Sequence, residues 1–149
     1  MKEIILKLDK IKDQIIADNT DSVLRVFALV ARTDVENKWD VLISVDWVEK
    51  INPENELINV IEKIKKEFNN NLDFLAQIVV FPPTELFIKL LGQTLINEDL
   101  KMNEEINSLK IADNLIISKI VLLYEDFSDM DLTIPELASP KKHQTVESF

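Results

Sequence analysis

Two hydrophobic periods alternate along this chain, and their alternation limits the fold more than any other feature. Ile4, Leu8, Ile11 and Ile15 recur at helical spacing, with Ile5 and Ile16 alongside, as one face of a helix requires. Residues 23–31, VLRVFALVA, are short, apolar and β-branched, which predicts a buried strand. A polar connection follows, then a second strand over 39–47. Trp39, Val41, Ile43, Val45 and Trp47 fall on one side of it, and Asp40, Leu42, Ser44 and Asp46 on the other. The short connection predicts an antiparallel hairpin.

Asn52-Pro53 predicts the start of a second helix. Its stripe is Leu57, Val60, Ile61, Ile64 and Phe68, and Asn69-Asn70-Asn71 ends it. A third strand spans Leu75–Phe81 and stops at Pro82-Pro83; a third helix begins near Thr84 and fades near Asn97, lined by Phe87, Leu90, Leu91 and Leu95. Residues 98–105 form a polar spacer. Residues 106–114 admit a short strand and turn, and Leu115–Tyr124 is a further strand. The order α-β-β-α-β-α-(β)-β predicts a single α/β or α+β domain over residues 1–134, a mixed sheet covered by helices. Residues 135–149, with Pro135 and Pro140 at their start and middle, are expected to form a flexible tail. LAQIVVF and ISKIVLL resemble one another only as two buried strands do.

Composition removes several chemistries. The chain has 149 residues and no cysteine, which excludes disulfides, thiol catalysis and thiolate metal sites. Gly92 is the only glycine, so there is no P-loop and no glycine-rich dinucleotide fingerprint, both of which need close backbone approach to phosphate. The only histidine, His143, lies in the polar tail, away from any expected site. Net charge is −10, and no Lys/Arg cluster offsets it, so no nucleic-acid partner is expected. No apolar run approaches the roughly 20 residues of a membrane helix, and the charged N-terminus lacks a signal core. A cytoplasmic protein with no membrane partner is expected.

The hairpin carries the one motif with chemical content. Phe27-Ala28-Leu29-Val30-Ala31-Arg32-Thr33-Asp34, followed by Asp40, resembles the corresponding hairpin of the minimal nucleotidyltransferases. That family has Phe-Gly-Ser-x-Ala-Arg-Gly-Asp, a short loop and a strand bearing Asp-x-Asp. Phe27, Ala31, Arg32 and Asp34 match, and Asp40 falls where the first metal-binding aspartate stands. The resemblance covers residues 20–80 in element order and about 20 residues in register, and implies a nucleotidyltransferase-like fold. The departures bear on activity. Ala28-Leu29 replaces the Gly-Ser pair that approaches and binds phosphate in the family. Leu42 replaces the second aspartate, and two-metal chemistry needs several converging carboxylates. Gln77 stands where an acid is expected on the third strand, unless Asp73 substitutes.

The candidate diverged site is therefore Asp40, Asp34, Arg32 and Asp73, and no residue is assigned as catalytic or metal-binding. The expected function is non-catalytic: a nucleotidyltransferase-like protein acting by association with a protein partner or with itself, and without a cofactor. The alternative is a diverged metal-dependent nucleotidyltransferase. There Asp40, Asp34 and Asp73 hold Mg²⁺ while Arg32 or Lys38 binds phosphate. A third reading is an unrelated α/β binding module. Three structural expectations accompany these. Arg25 pairs with an acid such as Asp40; Trp39 and Trp47 pack in the core; and the helix over 2–18 serves the core or a partner.

Overall fold

The computed structural model describes residues 1–18, 24–46 and 54–134. Eight elements follow in order: α1 (Lys2–Asp18), β1 (Leu24–Ala31), β2 (Trp39–Val45), α2 (Glu54–Glu67), β3 (Leu75–Phe81), α3 (Leu86–Asn97), β4 (Glu105–Ala112) and β5 (Leu115–Glu125). This is a single α+β domain with a mixed five-stranded sheet and three helices. The expected cap at Asn52-Pro53, Trp47 and the segment 135–149 lie outside the described residues.

The strand order is β3-β2-β1-β5-β4. β1 pairs antiparallel with both β2 and β5, β2 pairs parallel with β3, and β4 pairs antiparallel with β5. The parallel step from β2 to β3 is the one that needs a crossover, and α2 supplies it. Central position explains the continuous apolar run of β1. Both of its faces are covered, so alternation is lost.

α1 and α2 cover one face of the sheet. Leu8, Ile11 and Ile15 of α1 and Val60 and Ile64 of α2 join Phe27, Leu29, Val41, Ile43, Ile78 and Val121 in one core. The stripe of α1 is thus core, and Trp39 packs there too, as expected. α3 and the segment after β5 cover the other face: Ile88, Leu91, Leu95 and Phe127 meet Val26, Ala28, Leu42, Ile120 and Leu122. At about 25 cal/mol per Å² of apolar area, each fully buried aliphatic or aromatic side chain contributes roughly 1.5–3 kcal/mol. The two layers together hold the sheet.

Two boundaries differ from the sequence reading. β2 ends at Val45, and Asp46 lies in a short turn beyond it. The ambiguous stretch 106–114 is a full strand, β4, joined to β5 by the two residues Asp113-Asn114. Its polar edge character and a left-handed Ser108 (φ 57) hide it from a periodicity argument.

Candidate functional site

β1 and β2 bring the hairpin motif together as a cluster of one arginine and two aspartates. Arg32 leaves the end of β1, and its backbone N–H donates to the carbonyl of Lys38 at 2.9 Å, closing the connection. Nε and Nη2 of Arg32 donate to Oδ1 and Oδ2 of Asp34, both at 2.8 Å. This fork-to-carboxylate geometry is the strong form of the ion pair. Nη1 of the same guanidinium lies 3.6 Å from Oδ1 of Asp40, an ion pair too long to be a hydrogen bond. Oδ2 of Asp40 accepts from Nε2 of Gln77 at 3.1 Å. Gln77 is beside Asp40 because the parallel β2–β3 register pairs these two residues.

Electrostatics follow the contacts. The hydrogen bond to Asp34 and the charge of Asp40 raise the pKa of Arg32, and the bond from Arg32 lowers that of Asp34. The side chain of Asp40 is 19% exposed, against 61% for Asp34. Its Oδ1 is buried and, among the described residues, accepts no hydrogen bond.

Asp73 is not part of this cluster. It precedes β3 and lines a shallow depression with Met1, Ile4, Lys7 and Phe68, on the α1 side of the sheet. Asp40 lies on the opposite side, the face it shares with Leu42 under α3. Nζ of Lys38 donates to the carbonyl oxygen of Asp73 at 2.5 Å, so that lysine ties the hairpin to the entry of β3. Among the described residues, no three acidic or histidine side chains form a group able to hold a metal ion.

Positions 28, 29 and 42 are core. Ala28 and Leu29 are fully buried, on opposite faces of β1, and Leu42 is 3% exposed beneath α3.

Arg25 pairs with acids, as expected, but Asp40, the acid named for it, is not among them. Arg25 Nε lies 3.5 Å from Oδ1 of Asp46, its Nη1 donates to Oδ1 of Asp129 at 2.5 Å, and also to the carbonyl of Asp126 at 3.2 Å. Arg25 lies on the opposite end of β1 from Asp40, whose register partner is Val30. Burial disfavours the charge on Arg25; the bond to Asp129 and the fields of Asp46 and Asp129 outweigh it and raise the pKa. Asp129 stands 104 residues further along, so no local pattern announces it. Gln77 was legible as a residue in an acid's place, but its role as a partner of Asp40 needs the β2–β3 register.

No protein-family model matches the chain, and comparison with curated proteins and with solved structures finds no similar protein or fold.

Proposed function

We propose that this chain is a non-catalytic, nucleotidyltransferase-like domain that acts by protein–protein association. One observation carries the reading: the carboxylate of Asp40 is engaged by Arg32 and Gln77 within the fold. In the active hairpin that the motif resembles, this position faces a cation, and the arginine neighbourhood faces phosphate. Here Asp34 takes the fork of the arginine, and Nη1 of the same group lies 3.6 Å from Asp40. Ala28, Leu29 and Leu42 add packing where the resembled motif has phosphate-binding and metal-binding groups.

The measurement is a calorimetric titration of nucleoside triphosphates with Mg²⁺ or Mn²⁺ on wild type and Asp40→Ala. The expected outcome is no binding in either protein. Asp40→Ala instead lowers stability by about 0.5–1.5 kcal/mol, the range for a lost hydrogen bond such as that from Gln77. Micromolar triphosphate binding that disappears in Asp40→Ala overturns the proposal.

A second reading has its own support. The buried Oδ1 of Asp40 accepts no hydrogen bond from the described residues, and buried carboxylate oxygens usually find a donor or a cation. A diverged metal-dependent nucleotidyltransferase would use that oxygen for Mg²⁺, with Asp34 after release from Arg32. The same titration separates the two readings, because only this one expects Mg²⁺-dependent heat that Asp40→Ala removes.

A further inference from the structure

The two edges of the sheet are built differently. β4 forms one edge and is defended. It carries Glu105 and Lys110, a left-handed Ser108, and a register break between Lys110 and Ala112. Charges and irregularities of this kind keep a second chain from adding to an edge. β3 forms the other edge. Its sequence, LAQIVVF, has no charge, no proline and no left-handed residue, and its one register break, between Leu75 and Gln77, lies at its very start. β2 covers one side of it, and among the described residues no strand covers the other.

A groove of about 520 Å³ runs along that open edge, between β3 and α2. Ile58, Ile61, Ile64, Leu72, Leu75 and Ile78 make its apolar wall. Ile58 stands 55% exposed at the helix surface. Among the described residues, the charged ones that touch the groove are Glu62 and Lys65, of opposite sign and about one helical turn apart.

We propose that β3 is the dimerisation edge of this protein, pairing antiparallel with β3 of a second copy. The inference rests on the association reading above and names its partner. A twofold axis normal to the sheet would join the two sheets into one of ten strands. It would also set the two α2 helices side by side and antiparallel, over a shared apolar seam. In that arrangement Glu62 of one copy faces Lys65 of the other, and the reverse. This is the self-complementarity that an isologous contact demands.

Charge selects the occupant. The chain as a whole is strongly acidic, at −10, and a basic partner would be drawn to an acidic surface. Among the described residues the groove rim is instead one acid and one base, which fits a copy of itself. Elsewhere the two copies repel, so the dimer tightens as salt is added, within a Debye length of about 8–10 Å at physiological ionic strength. A basic partner would show the opposite dependence.

Sedimentation equilibrium of the full chain from about 5 to 500 µM, with amide hydrogen exchange at both ends of that range, tests this. The expected result is a reversible dimer, stronger at higher salt, with the amides of β3 more protected at high concentration and those of β4 unchanged. Lys65→Glu places acid against acid and is expected to weaken the dimer at least about tenfold. Adding Glu62→Lys to it restores the opposition of signs and recovers the dimer, which a folding defect would not do. A chain monomeric throughout overturns the dimer, as does a dimer indifferent to both the charge changes and the exchange of β3. Neither result touches the association reading, which falls only to nucleotide binding at Asp40.

Discussion

Asn37, Asn69, Asn70 and Asn103 take left-handed backbone, with φ between 53° and 64°. Asparagine tolerates this conformation better than other side-chain-bearing residues, and here it stands where glycine usually does. Asn70 N–H reaches back to the carbonyl of Lys65 at 2.9 Å and ends α2. A chain with one glycine can therefore still turn sharply. Ser44 illustrates the reverse problem, a polar group with nothing to do. Its hydroxyl is fully buried on β2 and has no hydrogen-bond partner among the described residues. Desolvating such a group costs about 1–3 kcal/mol. Ser44→Ala is expected to leave the fold intact and raise stability by up to about 1 kcal/mol, read as a shift of the urea midpoint. A loss of stability would mean the hydroxyl is bonded after all. The pattern of β2 put Ser44 and Asp40 on one face correctly, since alternation is a local property. The partners of Asp40 depend on which residue of β3 lies beside it, and no residue near Asp40 encodes that.

At the scale of elements, α3 explains the single glycine. Gly92 is buried on the helix where it meets the segment after β5. A Cβ there would stand 2.8 Å from Phe127 Cδ1 and 3.0 Å from Leu132 Cδ2. Phe127 is itself 4% exposed in the core, so its ring has little room to move. Gly92→Ala gains about 1 kcal/mol of helix propensity and loses about 1–3 kcal/mol to overpacking. The expected net effect is destabilisation, with faster amide exchange across residues 126–134. Unchanged exchange there would show that Phe127 can give way. Helices α1 and α2 were legible from their helical period, β2 from its alternation, and β1 and β3 as short apolar runs. β4 was only half legible. Edge exposure leaves it a mixture of polar and apolar residues, and Ser108 breaks its alternation. The anchoring of residues 126–134 was not legible either, because it depends on Gly92 for space and Arg25 for charge.

For the molecule as a whole, acid sensitivity follows from three carboxylates. Asp129 is lowered by its hydrogen bond from Arg25, Asp34 by that from Arg32, and Asp131 by that from Thr133. Groups lowered below the ordinary 3.8 stabilise the fold above that value and lose the contribution as pH falls through the folded pKa. Glu125 works the other way. Burial first, and Asp126 second, raise its carboxyl above 4.5, so protonating it favours the fold. Stability is therefore expected to hold or rise slightly as pH falls from 7 toward about 5, then decline below about 4. Urea midpoints across that range read the curve, and a midpoint flat down to pH 3 would rule out these contacts as acid-labile ties. Asp129→Asn is expected to blunt the decline.

The place of β1 in the sheet has a consequence for synthesis. Its two neighbours are β2, made almost at once, and β5, whose last residue is number 125. At about 5–20 residues per second, the ribosome needs roughly 5–20 s to pass from the end of β1 to the end of β5. Through that interval the most apolar strand of the protein has one side open. The nascent chain has α1 to cover one face and nothing of β5 to close the edge. Until β5 is made, that open edge is where the nascent chain is most exposed to mispairing.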